Sequence, residues 1–276
     1  MSNEMLSYIK KDSPIHKLTG ATKLICFLLW TIAAMITYDT RVLVGLFVFG
    51  IITFKISKIE FKEISFILYF ILFFLLLNAL LIFIFSPYQG TEIYGSKTEL
   101  FHLIGPYTIT KEQLFYEFNV MLKYFATIPM ALLFILTTEP SEFAASLNRL
   151  GISYKAAYTV SIALRYIPDI QRDYRDISFA QQARGIDLSK KEKLMKRIKN
   201  STSILMPLIF SSLDRIDKIS LAMELRAFGR GKKRTWYNSR KFNKMDYISI
   251  LIFIGLLILS LYMLNVNGGR FYNPFI

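Results

Sequence analysis

The chain has 276 residues, of which 53% are hydrophobic and 15% aromatic, and a formal net charge of +14. A composition this apolar excludes an ordinary soluble domain. Because the apolar residues are clustered in runs, the sequence predicts an all-α membrane protein.

Five apolar runs predict about five transmembrane helices. A bilayer core of about 30 Å requires about 20 helical residues, a length that the third and fifth runs reach. The first two runs are shorter and nearly adjacent, so they form either a tight helical hairpin or a re-entrant pair. Asn78 is the main polar group deep within a run, and we expect it to bond a neighbouring helix. The runs are Leu24–Tyr38, Val42–Phe54, Ile64–Phe85, Met121–Leu136 and Tyr247–Leu264.

The basic residues are distributed unevenly between the loops of this topology. If the N-terminus is cytoplasmic, the cytoplasmic segments contain 29 of the 34 Lys and Arg residues, and the outward segments contain four. Positively charged loops stay on the cytoplasmic side, so we expect the N-terminus inside and the C-terminus outside. The cytoplasmic segments are 1–23, 55–63 and 139–246, and the outward segments are 39–41, 87–118 and 265–276.

Three regions follow from this topology. Residues 1–138 form an N-terminal transmembrane part with an outer loop at 87–118. Residues 139–246 form cytoplasmic or interfacial helices, and residues 247–276 form the last transmembrane helix with an outward tail. Within the outer loop we expect a short hairpin around Phe101–Ile109.

Local signals predict where the helices around the fourth run begin and end. Thr110, followed three residues later by Gln113, fits a capping box that starts a helix leading into this run. Pro129 inside the run should kink that helix. Beyond it, Ser141–Leu150 is predicted as a short amphipathic helix that Gly151 ends.

Two longer helices follow, and each carries an apolar stripe without a run that could span a bilayer. The stripe residues recur at alternating steps of four and three, which is typical of a coiled-coil seam. We therefore expect the two helices to cross and pack along their stripes. The first stripe is Ala156, Val160, Ala163, Ile167, Ile170, Tyr174 and Ile177, and the second is Leu205, Ile209, Ser212, Ile216, Ile219 and Met223.

An arginine stands at the end of each of these two helices. Arg184 and Arg226 both fall on the heptad continuation of their own stripe. A cation at a helix C-terminus is favoured by the helix dipole, typically by about 0.3–1 kcal/mol. Gly185 is a natural helix stop, whereas Ala227 stands at this position in the second helix. One such arginine could simply cap its helix, but two in matching register indicate a shared role in gripping a partner.

The sequence contains no pattern for catalysis or cofactor binding. It lacks a Gly-x-x-x-x-Gly-Lys-Ser/Thr phosphate loop, and no Ser/His/Asp or Cys/His arrangement indicates a nucleophile. The two histidines, His16 and His102, fall on opposite sides of the membrane and cannot share a metal site. Cys26 is interpreted as a buried, inert thiol. We therefore expect no enzyme activity and no cofactor bound by this chain.

Several motifs carry a resemblance to a known family. They are Ser13-Pro14-Ile15-His16-Lys17-Leu18, Leu147-Asn148-Arg149-Leu150-Gly151-Ile152, Leu164-Arg165-Tyr166-Ile167-Pro168, Gln182-Ala183-Arg184-Gly185 and Met223-Glu224-Leu225-Arg226-Ala227-Phe228-Gly229 with the basic residues that follow. Together they resemble the transmembrane T component of energy-coupling factor (ECF) transporters. This family is related to the membrane subunit of cobalt and nickel uptake systems.

The resemblance implies an all-helical subunit with a membrane part and a cytoplasmic coupling module of one short and two long crossed helices. Two Ala-Arg-Gly-like motifs of the family each dock into a groove on one of two ATP-binding-cassette ATPase subunits, which bind ATP and Mg. By position, these motifs are Ala183-Arg184-Gly185 and Leu225-Arg226-Ala227, and the second departs from the family pattern. A separate substrate-binding membrane subunit, the S component, rests against the coupling helices.

The implied function is that of a non-catalytic membrane scaffold and energy-coupling subunit. It would serve an ATP-driven importer of a micronutrient, either a vitamin or a metal ion, in the bacterial or archaeal cell membrane. Its partners would be the two ATPases, the S component and the lipid bilayer, with no nucleic acid.

Two other functions fit parts of the sequence. A membrane-anchored regulator would bind nucleic acid or anionic lipid through the basic segment 139–246. However, its 22 Lys and Arg residues are interspersed with 11 acidic ones, and no nucleic-acid recognition module stands out. A free-standing secondary carrier would require ionisable residues buried within the spans, and the runs carry almost none.

Overall fold

The computed structural model describes residues 8–9, 11–102, 107–186, 194–231, 235–236 and 240–275. These residues form ten helices and one two-stranded sheet, which confirms an all-α membrane protein. The chain divides into two compact units. The membrane unit comprises Met1–Glu139 and Arg240–Ile276, and the second unit comprises Pro140–Ser239. Residues 240–246, which the sequence grouped with the cytoplasmic helices, thus lie in the membrane unit with the helix that they start.

Five apolar helices make up most of the membrane unit, and each coincides with one of the predicted runs, although the first helix ends two residues before the run Leu24–Tyr38 does. They are α2 (Gly20–Ile36), α3 (Thr40–Ile56), α4 (Phe61–Phe85), α6 (Lys111–Thr137) and α10 (Lys244–Val266). The last three are long and apolar enough to cross a bilayer. α2 and α3 have 17 residues each, which is about 26 Å of helix at about 1.5 Å per residue.

The short helix α1 (Pro14–Lys17) precedes α2 and is held by the buried His16. The imidazole Nε2 of His16 lies 2.9 Å from the carbonyl oxygen of Ile9, and its Nδ1 lies 2.7 Å from the hydroxyl of Ser13. Because a carbonyl can only accept, Nε2 carries the proton and Nδ1 accepts from Ser13. Burial lowers the pKa of His16, which favours this neutral ring. His16 is therefore a structural residue of the N-terminal segment.

A buried carboxylate, Asp246, caps two membrane helices at once. Its side chain accepts hydrogen bonds from the backbone N–H of Asn243 at 2.7 Å and from that of Thr19 at 2.9 Å. Asn243 and Thr19 are the N-caps of α10 and α2. The negative charge therefore faces the positive ends of both helix dipoles and fixes the two helix starts side by side.

The core of the membrane unit forms around Trp30 of α2, which is almost fully buried. Its indole Nε1 donates to the carbonyl oxygen of Ala126 at 3.0 Å, so its one polar group is satisfied within α6. The rings of Phe49 and Phe253 pack against it, with centroids 5.7 Å away. One tryptophan thus joins α2, α3, α6 and α10.

The outer loop contains a helix and a hairpin. The helix is α5 (Gln89–Tyr94), and the strands β1 (Glu99–His102) and β2 (Thr108–Thr110) pair antiparallel, which places a hairpin where the sequence predicted one. Half of the expected capping box forms, because the hydroxyl of Thr110 accepts from the backbone N–H of Gln113 at 3.2 Å. The Gln113 side chain instead accepts from the backbone N–H of Gly90 at 2.8 Å. Gln113 therefore ties α5 to the start of α6.

The residues after α10 return to the turn between α2 and α3. The backbone N–H of Tyr38 donates to the carbonyl oxygen of Arg270 at 2.8 Å, and the rings of Tyr38 and Phe271 stack at 4.6 Å. The amide of Asn267 donates to the buried carboxylate of Asp39 at 2.7 Å. These contacts close one end of the helix bundle.

The described residues of the second unit form three helices. They are α7 (Pro140–Arg149), α8 (Tyr154–Ala183) and α9 (Leu194–Leu225). α7 is amphipathic, with Ala144, Ala145 and Ser146 buried, and Gly151, which has a positive φ of 98°, stands just beyond its end. This agrees with the short helix and the glycine stop predicted from the sequence.

Replacing Gly90 with alanine should destabilise the outer loop, because an added Cβ would lie 2.4 Å from the carbonyl oxygen of Glu112 and 2.6 Å from the Cα of Gln113. We expect a loss of about 2–3 kcal/mol, measured as a lower Tm of the detergent-solubilised protein. Gly255→Ala is the matched control, because its Cβ would meet nothing within 4 Å. Equal Tm values for the two variants would contradict the close approach of α5 to α6.

Candidate functional site

The end of α8 places Arg184 at the helix C-cap. Gly185 has a positive φ of 88°. Its N–H donates to the carbonyl of Gln182 at 2.9 Å, and the N–H of Ile186 donates to that of Gln181 at 3.1 Å. This pair of hydrogen bonds around a left-handed residue is a Schellman motif. It stops the helix immediately after the arginine and leaves the Arg184 side chain exposed.

The end of α9 has the same geometry around Arg226. Ala227 has a positive φ of 53°. Its N–H donates to the carbonyl of Glu224 at 2.9 Å, and the N–H of Phe228 donates to that of Met223, also at 2.9 Å. An alanine therefore occupies the position of Gly185, at an expected penalty of about 1 kcal/mol. The departure from Ala-Arg-Gly leaves the helix end unchanged, and Arg226 is exposed like Arg184.

α8 and α9 pack antiparallel, as three contacts along their length show. Near the end of α8, the Gln181 amide donates to the carbonyl of Ser203 at 3.2 Å. In the middle, Arg215 forms an ion pair with Asp173. Near the start of α8, the ring of Tyr158 lies 4.8 Å from that of Phe228, just beyond the end of α9.

Antiparallel packing sends the two arginines to opposite ends of the helix pair. Arg226 lies level with the start of α8, and Arg184 lies at its end. Roughly 26 residues of helix separate these levels, which corresponds to about 40 Å. The two arginine-bearing ends cannot therefore reach one small groove together.

The predicted stripes lie only partly in the contact between α8 and α9. In α9, Ser212, Ile219 and Met223 are half-buried, whereas Leu205, Ile209 and Ile216 are exposed. The more buried positions there include Ile204, Leu208 and Arg215. In α8, Val160 and Ile177 are half-buried, and the exposed stripe residues are Ala156, Ala163, Ile167, Ile170 and Tyr174. Much of the predicted seam is therefore an exposed apolar surface of the second unit.

The remaining residues of the two motifs frame the arginines without covering them. Ala183 and Gly185 are exposed beside Arg184, and Leu225 is 80% exposed beside Arg226. Ala227 is half-buried. Both arginines thus stand on exposed helix ends whose backbone is held by the Schellman bonds.

The sequence reasoning missed the polar contact at the middle of the pair. Arg215 forms its ion pair with Asp173 and also lies over the ring of Tyr166, 5.7 Å from the centroid. Asp173 and Tyr166 are seven residues apart and therefore share one face of α8. An aromatic and an acidic residue at this spacing on α8 were the available signal, but a hydrophobic periodicity does not contain it.

An aromatic cluster that the sequence did not predict holds the end of α9. Phe228 packs against Tyr154 and Tyr158 at centroid distances of 5.7 and 4.8 Å. Trp236 packs on Tyr158 and donates its indole N–H to the side chain of Asn148 at 3.1 Å. The chain beyond Arg226 is therefore anchored to the start of α8 and to α7.

Among the described residues, no group of three or more His, Cys, Asp or Glu side chains could hold a metal ion.

Exchanging the two left-handed residues should change the two helix ends in opposite directions. Gly185→Ala should loosen the end of α8 by about 1 kcal/mol, and Ala227→Gly should tighten the end of α9 by a similar amount. Hydrogen–deuterium exchange of the amides of Gly185, Ile186, Ala227 and Phe228 measures both effects. Faster exchange in Ala227→Gly than in the parent chain would contradict the αL assignment.

Charge reversal at the Arg215–Asp173 pair should weaken the contact between α8 and α9. The side chains of Arg215 and Asp173 are 32% and 25% exposed. We therefore expect Arg215→Asp to lower the free energy of unfolding by roughly 1–2 kcal/mol. Adding Asp173→Arg should recover most of this loss, as measured by Tm in a double-mutant cycle. Asp217→Arg, an exposed change on the same helix, is the control. No recovery in the double variant would contradict a direct pairing.

Comparisons with known proteins agree with these features. Residues 11–237 match the family model CbiQ, described as a cobalt transport protein. Three bacterial relatives are named energy-coupling factor transporter transmembrane protein EcfT, which is the name of a transporter component and not of an enzyme. The Clostridium kluyveri protein is 29% identical over 262 residues, covering 92% of this chain and 94% of the relative. The Lactococcus lactis subsp. cremoris protein is 30% identical over 279 residues, covering 94% and 98%.

The third relative, from Bacillus subtilis, is 27% identical over 265 residues and covers 91% of this chain and 95% of its own. The segment that the family model matches, residues 11–237, contains both Arg184 and Arg226. The chain therefore belongs to the CbiQ family of transport proteins, which confirms its resemblance to the transmembrane T components of ECF transporters.

Proposed function

We propose that the chain is the membrane scaffold and energy-coupling subunit of an ATP-driven importer of a vitamin or metal ion. The observation that carries this proposal is the pair of exposed arginines at the C-caps of two antiparallel helices, α8 and α9. Both arginines follow the same backbone geometry and stand at opposite ends of the helix pair. This arrangement suits a rigid part that contacts two separate partners.

The two partners are ATP-binding-cassette ATPase subunits, and each receives one arginine. A guanidinium group donates up to five hydrogen bonds in a fixed plane, which suits a groove lined by carboxylates or carbonyl oxygens. The separation of about 40 Å along the helix pair requires two grooves. ATP and Mg bind in these ATPases, and this chain binds no cofactor of its own.

The exposed apolar surface on α8 and α9 serves a different partner, a substrate-binding membrane S component. Exposed apolar patches on a folded protein mark interaction surfaces when they are contiguous. Here the predicted stripe residues follow one another at helical spacing on each helix. The exposed members are Ile167, Ile170 and Tyr174 on α8, and Leu205, Ile209 and Ile216 on α9.

Movement is transmitted through the contact between the two helices. When the ATPases close around ATP, their grooves approach each other and draw the arginine-bearing ends with them. The Arg215–Asp173 pair and the aromatic cluster at Phe228 keep α8 and α9 from sliding independently. The change therefore reaches the apolar surface as a shift of the helix crossing.

The orientation in the membrane follows from charge. The bacterial or archaeal cell membrane would hold the N-terminus inside and the C-terminus outside, because most Lys and Arg residues lie in the segments then assigned to the cytoplasm. This places both arginine-bearing helix ends on the side where ATP is available.

Reversing the charge of both arginines should release the ATPases and abolish uptake. We expect Arg184→Glu with Arg226→Glu to lose nearly all co-purifying ATPase, because each glutamate would meet a groove selected for a cation. Each single variant should retain part of the binding, since the two ends contact separate subunits. The measurements are ATPase retention after affinity purification of the complex and substrate uptake into proteoliposomes.

Arg175→Glu is the matched control, because this residue is exposed on α8 away from the helix end. It should leave both ATPase retention and uptake at the parental level. Unchanged ATPase retention in the double variant would refute arginine docking. Uptake by this chain alone, without ATPase subunits, would instead favour a secondary carrier.

A further inference from the structure

A groove lies between α4 and α6 on the surface of the membrane unit. It encloses about 500 Å³ and is lined mainly by apolar side chains, including Phe74, Leu77 and Leu81. α4 contacts the rest of the unit sparingly, so most of its large side chains are exposed. The groove therefore opens towards the hydrocarbon region of the bilayer.

Two polar side chains line this apolar groove. Asn78 lies on α4 and Tyr124 lies on α6. Asn78 is the single polar residue between Tyr69 and Phe85, and Tyr124 lies at the midpoint of its helix. In the part of the chain that the structure describes, neither side chain has a hydrogen-bond partner. The expectation that Asn78 bonds a neighbouring helix is therefore not met within these residues.

The two polar side chains in an apolar lining determine what can occupy the groove. Unsatisfied polar groups are unfavourable in hydrocarbon, and a lipid acyl chain offers neither a donor nor an acceptor. A second copy of this chain in a symmetric pair would present its own concave groove and could not fill this one. A transmembrane helix with a hydroxyl or amide side chain supplies both a convex ridge and the missing hydrogen bonds.

We propose that the groove between α4 and α6 receives a transmembrane helix of another subunit, whose hydroxyl or amide side chain bonds Asn78 and Tyr124. The apolar residues of the groove pack against the rest of that helix. This interface is separate from the arginine-bearing helix ends and rests on the proposed function only in requiring a membrane partner.

Removing the two polar groups should weaken this contact while leaving ATPase docking in place. We expect Asn78→Leu with Tyr124→Phe to lower the retention of the membrane partner in the purified complex about three- to fivefold, the effect of one or two hydrogen bonds in a membrane. Tyr69→Phe is the control, because Tyr69 is an exposed tyrosine of α4 outside the groove. Retention equal to that of the control would overturn the proposal.

Cross-linking identifies the occupant directly. Because Cys26 is the chain's single cysteine, a Cys26→Ala background allows one new cysteine at a time. Leu81→Cys, inside the groove, should form a cross-link with a transmembrane helix of the partner subunit in the intact complex, and Tyr69→Cys should not. A cross-link to a second copy of this chain, or no protein cross-link from Leu81→Cys, would overturn the proposal.

The two proposals fail in distinguishable ways. The arginine variants are expected to lose the ATPases. The groove variants are expected to lose the membrane partner and to retain the ATPases. A groove cross-link that persists in Arg184→Glu with Arg226→Glu would support the groove even if arginine docking were refuted.

Discussion

A residue in the left-handed conformation follows both Arg184 and Arg226, and it determines where each helix stops. Without it, the backbone would continue as α-helix and each arginine would point sideways from a longer rod. With it, the last carbonyl groups are satisfied by the Schellman hydrogen bonds, and the arginine stands at the tip. The antiparallel packing of α8 and α9 then places the two tips at opposite ends. The two helix stops and this packing thus set the distance between the two arginine-bearing ends.

The membrane unit follows a second constraint, which is that hydrocarbon cannot satisfy polar groups. Several of the polar groups described there are paired within the unit. Asp246 bonds two N-cap residues, Trp30 bonds a carbonyl of α6, and Gln113 bonds the backbone of α5. Asn78 and Tyr124 depart from this pattern, because they face a groove instead of a partner.

Much of the architecture could be predicted from the sequence, because its signals are local. Apolar runs of sufficient length predicted the membrane helices, and Gly151 and Gly185 marked helix ends that the structure contains. The geometry at Ala227 could not be predicted, because alanine normally disfavours a positive φ. The residue after it, Phe228, packs on Tyr154 and Tyr158, and these contacts are distant in sequence.

The site was predicted less completely than the fold, and the stripe on α9 shows why. Periodicity identifies an apolar face but does not distinguish a face that packs within the chain from one left for another protein. Leu205, Ile209 and Ile216 follow the seam pattern yet are exposed, while Arg215, a charged residue, lies in the helix contact. An ion pair inside a seam is invisible to a search for hydrophobic repeats.

Ala227 has a further consequence for the mechanical behaviour of the two helix ends. Glycine is nearly indifferent between left-handed and right-handed backbone, whereas alanine gains about 1 kcal/mol by returning to the right-handed region. The end of α8 is thus free of this backbone strain, because Gly185 adopts its positive φ at little cost. The end of α9 is strained at Ala227, and the packing of Phe228 on Tyr158 holds the residues after it in place. If this packing were lost, Ala227 would favour the right-handed region and the helix would lengthen. Two helix ends of equal backbone geometry therefore differ in the conformational free energy that this geometry costs.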